Sequence, residues 1–238
     1  MKIDSFIKAG GIEVFAFSQT LAKVGAIVDV MAAAAPELSR PNWRMQGDTL
    51  EDAQTGEVYA ADGQPSSRAV AALENEYRGE ETSSLGIWDG STDDSIGASV
   101  EVFACGGHFP DTVSLGARGA FIEHKDTVAS IVVKTAQEFR PAVISAAPDG
   151  YSEKQAFQDR PGVGWMIYLP VELTVQQIPA AQEIIPVLSA DGKRRLGTIL
   201  VSIKDEVFSA DNDEHLAVAH DIEARLISMD LLPLLAEI

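Results

Sequence analysis

The chain has 238 residues, 46% hydrophobic and 23% charged, the proportions of a folded globular protein rather than a disordered one. Its 36 Asp and Glu outnumber 18 Lys and Arg, for a net charge of -18, which repels phosphate backbones and anionic membranes and attracts basic proteins. A lone cysteine, Cys105, excludes an intrachain disulfide and a multi-cysteine zinc site, a usage that fits the cytoplasm.

In chain order, the N-terminal MKIDSFIKAGGIEVFAF is broken by Asp4, Lys8 and Glu13 and lacks the apolar core of a signal peptide. Val14, Phe17, Leu21, Val24, Val28, Met31 and Ala35 then recur every three or four residues, predicting a core helix of about six turns that Pro36 stops. Asp29 interrupts its most apolar part, so no membrane span is expected. From Asn42 to Ser67 the composition turns polar, with Gly47, Gly56, Gly63 and Pro65 marking hairpin or loop structure around a short strand at Glu57 to Ala60. A second helix is predicted over Ser67 to Tyr77, with Val70, Leu73 and Tyr77 on one face.

Its end opens the stretch ENEYRGEETSSLGIWDGSTDD, in which Glu74, Glu76, Glu80, Glu81, Asp89, Asp93 and Asp94 face a single cation, Arg78. A helix end followed by a Gly- and Ser-rich turn does not promise the converging carboxylates of a metal site. The readings left open are a solvated face and a surface for a basic partner, with Trp88 as an aromatic anchor inside an electrostatic rim.

Further on, Ala98 to Cys105 alternates with the period of a half-buried strand, with Cys105 a strand cysteine, and TVSLGARG is expected to return beside it. Asp126 is placed to cap a helix lined by Val128, Ile131, Val132, Thr135 and Phe139 that ends at Pro141. AVISAA, GWMIYLP and LGTILVSI are apolar runs of strand length. The last helix is expected to begin at Asp211, which has capping-box spacing to Glu214, and to carry Val218, Ile222, Leu226 and Met229 on one face. Strands in runs between a few helices predict an α+β fold, a mixed or antiparallel sheet with flanking helices. One domain over 1–238 is expected, with two halves meeting near 145–150.

For chemistry, the sequence offers no nucleophile elbow and no phosphate loop, and the glycines at 116–119 and 162–164 read as turns. His215 and His220 sit five apart, on different sides of a helix, which does not suit a shared metal. No cofactor or metal is expected. Pro110-Asp111 followed by Glu123-His124-Lys125 resembles the signature of restriction-endonuclease-like nucleases, in which Asp111 and Glu123 would hold a divalent metal and Lys125 would stabilise the attacking water. This is the alternative reading, a metal-dependent hydrolase, and a charge of -18 suits it badly, since phosphate neutralisation supplies most nucleic-acid affinity.

The blocks QDRPGVGWMIYLP (158–170), LGTILVSI (196–203) and FSADNDEH (208–215) leading into the last helix resemble the immunity protein 52 family. The resemblance extends over a first helix leading to Trp43 and over the Leu85 to Gly90 strand and turn; Gln46 to Pro65 does not match it. It implies a non-enzymatic antitoxin that protects the toxin-producing cell by binding a cognate nuclease toxin of restriction-endonuclease fold, often one delivered by type VI secretion. A basic nuclease cleft and an acidic antitoxin are electrostatic complements.

Overall fold

The segment that opens the chain, Lys2–Ile7, forms a strand, β1. Ile3, Ser5 and Ile7 are buried while Lys2, Asp4 and Phe6 turn to the other side, the alternation of a strand covered on one face. The computed structural model describes residues 1–47 and 50–238; Asp48 and Thr49, within the polar region expected as hairpin or loop, lie outside the described residues. After α1 (Phe17–Ala34) come β2 (Arg44–Met45), α2 (Leu50–Thr55) and α3 (Ser67–Glu76). Next are β3 (Ser83–Trp88), β4 (Gly97–Ala104), β5 (Asp111–Arg118) and α4 (Lys125–Phe139). The chain closes with β6 (Val143–Ala147), β7 (Met166–Leu169), β8 (Glu183–Leu188), β9 (Arg195–Val201) and α5 (Asp213–Ser228).

The strands form one nine-stranded sheet in the order β2-β3-β4-β5-β1-β6-β7-β9-β8, and every pairing between them is antiparallel. The fold is α+β. The sheet runs unbroken through β6, and β1 lies at its centre, between β5 and β6. Both edges are blunted: β2 has two residues, and β8 carries Pro186 and a register shift at Val187 and Leu188, features that discourage pairing with another chain.

Helices α1 and α4 pack on each other and, with the sheet, enclose the main core. α1 is long and apolar enough to cross a membrane by length and composition, yet Leu21, Val24, Val28 and Met31 are 0% exposed within that core, each burial worth roughly 1.5–3 kcal/mol. Its stripe matches the expected one except at the ends, since the helix runs from Phe17 to Ala34, with Val14 before it and Ala35 as its extended C-cap. The polar region is tied to this helix. Arg40 pairs with Asp29 through two nitrogens at 2.7 Å and donates to the Gly63 carbonyl at 2.5 Å, and Tyr59 Oη donates to the Leu21 carbonyl at 3.1 Å. Gly25 makes room for this clamp, because a Cβ there would sit 2.8 Å from the Arg40 guanidinium carbon. Part of the region expected as hairpin or loop is instead the short helix α2.

Beyond the centre of the sheet the burial pattern changes. β7 is buried at all four positions and β9 at its last five, as in strands covered on both faces. α4 lies against these strands, and the chain from Tyr151 to Gly164 lies against β1 and β6, where Ser145 Oγ donates to the Gly162 carbonyl at 2.5 Å. Buried Glu223 of α5 holds that segment in place. Its Oε1 accepts from Tyr151 Oη at 2.6 Å and from the Val163 N–H at 2.9 Å, and its Oε2 accepts from the Ala156 N–H at 2.9 Å. The stripe that α5 buries is therefore His215, Ala219, Ile222, Glu223 and Leu226, rotated from the expected one built on Val218 and Met229.

The caps also differ from expectation. Asn212, not Asp211, caps α5 by accepting from the Glu214 and His215 N–H groups, while Asp211 pairs with Lys154 at 2.7 Å. Asp126 lies inside the first turn of α4, whose N-cap is His124. Gly116 is a strand residue rather than a turn. Cys105 falls just beyond β4 and is half-buried.

Candidate functional site

β3, β4, β5 and β1 alternate buried and less buried residues, so one face of this half of the sheet meets the helices and the other is open. The strand registers arrange the open face in three rows. The middle row runs Gly86, Glu101, Ser114, Asp4 and Ser145. One flanking row carries Phe103, Thr112 and Phe6, and the other carries Trp88, Ser99, Gly116 and Lys2.

The middle row holds two carboxylates in a bed of small residues. Asp4 accepts from Ser114 Oγ at 2.7 Å and lies 3.3 Å from Lys2 Nζ. Glu101 accepts from Gln46 Nε2 at 3.3 Å. Gln46 lies over Gly86, where a Cβ would come within 2.1 Å of its amide oxygen, so the polar region reaches the open face there. Phe103 is 45% exposed, and Phe109, in the turn after β4, is 70% exposed. Two cavities indent the face: one of about 280 Å³ bordered by Asp4, Phe6 and Arg160, the other of about 370 Å³ bordered by Trp88, Ser99 and Arg118, with Asp149 on the rim of both. The Trp88 indole N–H is shielded from solvent and has no acceptor among the described residues.

The acidic stretch is divided by β3. Glu74 and Glu76 end α3, and Glu80 and Glu81 precede β3; Asp89, Asp93 and Asp94 follow it, at the Trp88 end, about 20 Å away along the strand. At the first end Glu81 approaches His108 at 3.6 Å. At the second, Arg118 lies 3.6 Å from Asp94 and donates to the Asp93 carbonyl. Ser95 backbone and side-chain hydrogen bonds hold the Asp93 carboxyl below its usual range. Asp89 is only 6% exposed, and desolvation pushes its carboxyl up. Trp88 and the two carboxylate groups thus border the open face at opposite rims instead of forming one patch.

The nuclease-like trio does not assemble. Asp111 opens β5 at 0% exposure, and its two oxygens accept from the Ile12 N–H at 2.7 Å and the Cys105 N–H at 2.6 Å. It is a clamp between two turns. Glu123 and Lys125 come after the far end of β5, about 25 Å along the strand, and Lys125 is bound to Glu183, which raises its pKa. Among the described residues no group of three or more His, Cys, Asp and Glu is placed to hold a metal. His215 accepts from the Ser209 N–H at 3.0 Å and His220 contacts the Lys154 carbonyl at 2.8 Å, so each has a structural partner.

Sequence reasoning missed Asp4, Phe6, Glu101 and Phe103 as a group. Their signal was present in the alternation of β4, where an aromatic and a carboxylate occupy the side away from the core.

Among solved structures, the Pseudomonas aeruginosa T6SS protein PA0821 shares this fold, with a TM-score of 0.55 at 9% identity over 95% of this chain and 72% of that one. A search of curated proteins found no match. The family model described as immunity protein 52 matches residues 18–235, a span that holds α1 but for Phe17, the three C-terminal sequence blocks and every strand of the sheet but β1. The chain belongs to the immunity protein 52 family.

Proposed function

We propose that this protein is an antitoxin that binds a cognate nuclease toxin and neutralises it in the cytoplasm of the producing cell, the toxin being one delivered by type VI secretion. The observation that carries the immunity reading is the family match over 18–235. The nuclease as target is supported by charge. A nuclease presents cationic surface to the phosphates it cleaves, and a chain of -18 is attracted to such a surface over about a Debye length. The fold shared with a T6SS protein agrees with the delivery route.

The test is to co-express the chain with the toxin domain encoded by the adjacent reading frame, purify them together and measure affinity and plasmid cleavage. A complex of nanomolar dissociation constant or tighter, about -12 kcal/mol, and loss of cleavage on binding are expected. A micromolar constant at physiological salt, or cleavage that persists in the complex, counts against the proposal.

A further inference from the structure

The open half of the sheet is covered within the chain at its two ends, by Gln46 over Gly86 and by Gly162 at Ser145, and the chemistry of the stretch between them selects what covers it. Asp4 and Glu101 stand in the middle row, separated by Ser114 and about 10 Å apart, two strand spacings. Asp89, Asp93, Asp94 and Asp149 add carboxylates at one rim, against Lys2, Arg118 and the terminal amine as local cations. Phe103 and Phe6 form one wall of the acidic row and Trp88 the other. Carboxylates between aromatic faces are the surroundings that a guanidinium or ammonium group prefers, since it gains charge-assisted hydrogen bonds and cation–π contact together.

We propose that this face is the docking surface for the toxin, and that it takes a basic segment whose arginine or lysine side chains enter the Glu101–Asp4 row between Phe103 and Trp88. The proposal rests on the immunity reading and adds to it the surface and the chemistry of the contact. The face spans β3 to β1, since Gly162 covers Ser145 of β6, a footprint of roughly 500 Å² from strand spacing and rise, to which the acidic rims add toward the roughly 800 Å² per partner of a standard interface. A second copy of this chain is a poor occupant, because the same carboxylate row would meet itself at a net charge of -18 on each side.

The experiment measures binding of an inactivated toxin domain from the adjacent reading frame to the parent chain and to Glu101→Lys, Glu101→Gln and Phe103→Ser. A control, Glu214→Lys on exposed α5 surface, makes the same charge change as Glu101→Lys elsewhere. Thermal melting of each variant reports folding, and sedimentation of the parent reports self-association. Glu101→Lys is expected to weaken binding about a hundredfold, Phe103→Ser about tenfold or more, and Glu101→Gln less than either. The control should bind like the parent, and all four variants should melt within a few degrees of it. If the parent fails to bind, the immunity reading falls and this proposal with it. If the parent binds and the Glu101 and Phe103 variants bind equally well, the toxin docks elsewhere and only this proposal is overturned. A dimer of the parent that Phe103→Ser breaks also overturns it, since the face would then be occupied by a second copy.

Discussion

Glu223 shows how one side chain organises a long irregular segment. The chain from Tyr151 to Gly164 has few ladder hydrogen bonds, and the carboxylate supplies acceptors for three donors within it. Glu223→Ala leaves the Tyr151 and Val163 donors buried and unpaired, at about 1–3 kcal/mol for each, while the exposed Ala156 can turn its N–H to water, and the variant is expected to destabilise the protein by at least about 2 kcal/mol in urea unfolding. Glu223→Gln keeps one oxygen, enough for Tyr151 and Val163, but turns an amide N–H₂ toward the Ala156 N–H, so an intermediate loss is expected. Tyr151→Phe removes a single bond to a charged acceptor and should cost about 1.5–3 kcal/mol. If all three variants unfold at the parent's midpoint, the carboxylate does not hold this segment. Asp111 works in the same way between Ile12 and Cys105, and this is why a residue that resembles a metal ligand in sequence is a structural clamp. Residue type and spacing cannot show whether a carboxylate meets other carboxylates or backbone N–H groups, because that is decided by the turns packed over it.

At the scale of elements, periodicity revealed most of the fold. α1, α3, α4, β4, β5, β6, β7 and β9 all follow from apolar spacing, and Pro36 and Pro141 end their helices where expected. The elements that escaped notice carry conflicting signals. β1 is six residues of mixed polarity, and β8 contains Pro186, which argues against a central strand but is tolerated at the edge that β8 occupies. Caps were misplaced by a residue or two because Asp211, Asn212 and Asp213 are all competent caps in sequence. The acidic stretch was legible as charge and aromatic content, whereas its division by β3 and the open face beside it depend on strand order, which local sequence does not encode. One helix end carries strain that can be relieved. Arg140 closes α4 in the left-handed region at φ 52, where a Cβ is unfavourable. Arg140→Gly is expected to raise stability by about 1 kcal/mol, seen as a higher denaturation midpoint; an unchanged or lower midpoint would show that Arg140 makes compensating contacts.

For the molecule as a whole, charge and contact are expected to act on different rate constants. Carboxylates at the rims of an interface speed encounter and are sensitive to salt, while desolvated groups within it govern dissociation. Replacing Glu80 and Glu81 with Ser, or Asp93 and Asp94 with Ser, changes exposed residues at opposite ends of β3, where substitutions usually cost within about 0.5 kcal/mol of stability. Each pair is expected to slow association with the toxin at low salt, and the combined variant to flatten its salt dependence, with little change in dissociation. Stopped-flow measurements over a salt series check this. Identical rates and slopes for variant and parent would make these groups ordinary solvated surface.

The central position of β1 has a consequence for how the protein is made. Lys2 pairs with Gly116 on one side and Ala147 on the other, so β1 must wait for both neighbours, which follow it in the chain, to be translated. At roughly 5–20 residues per second that delay is on the order of ten seconds, during which β1 has no partner on either side until β5 is made and one open edge until β6 follows. A nascent antitoxin therefore cannot present the middle row of its open face, to which β1 contributes Asp4, until more than half of the chain has been synthesised. If this face docks a toxin as proposed, protection rests on a standing pool of finished molecules rather than on synthesis begun when toxin arrives.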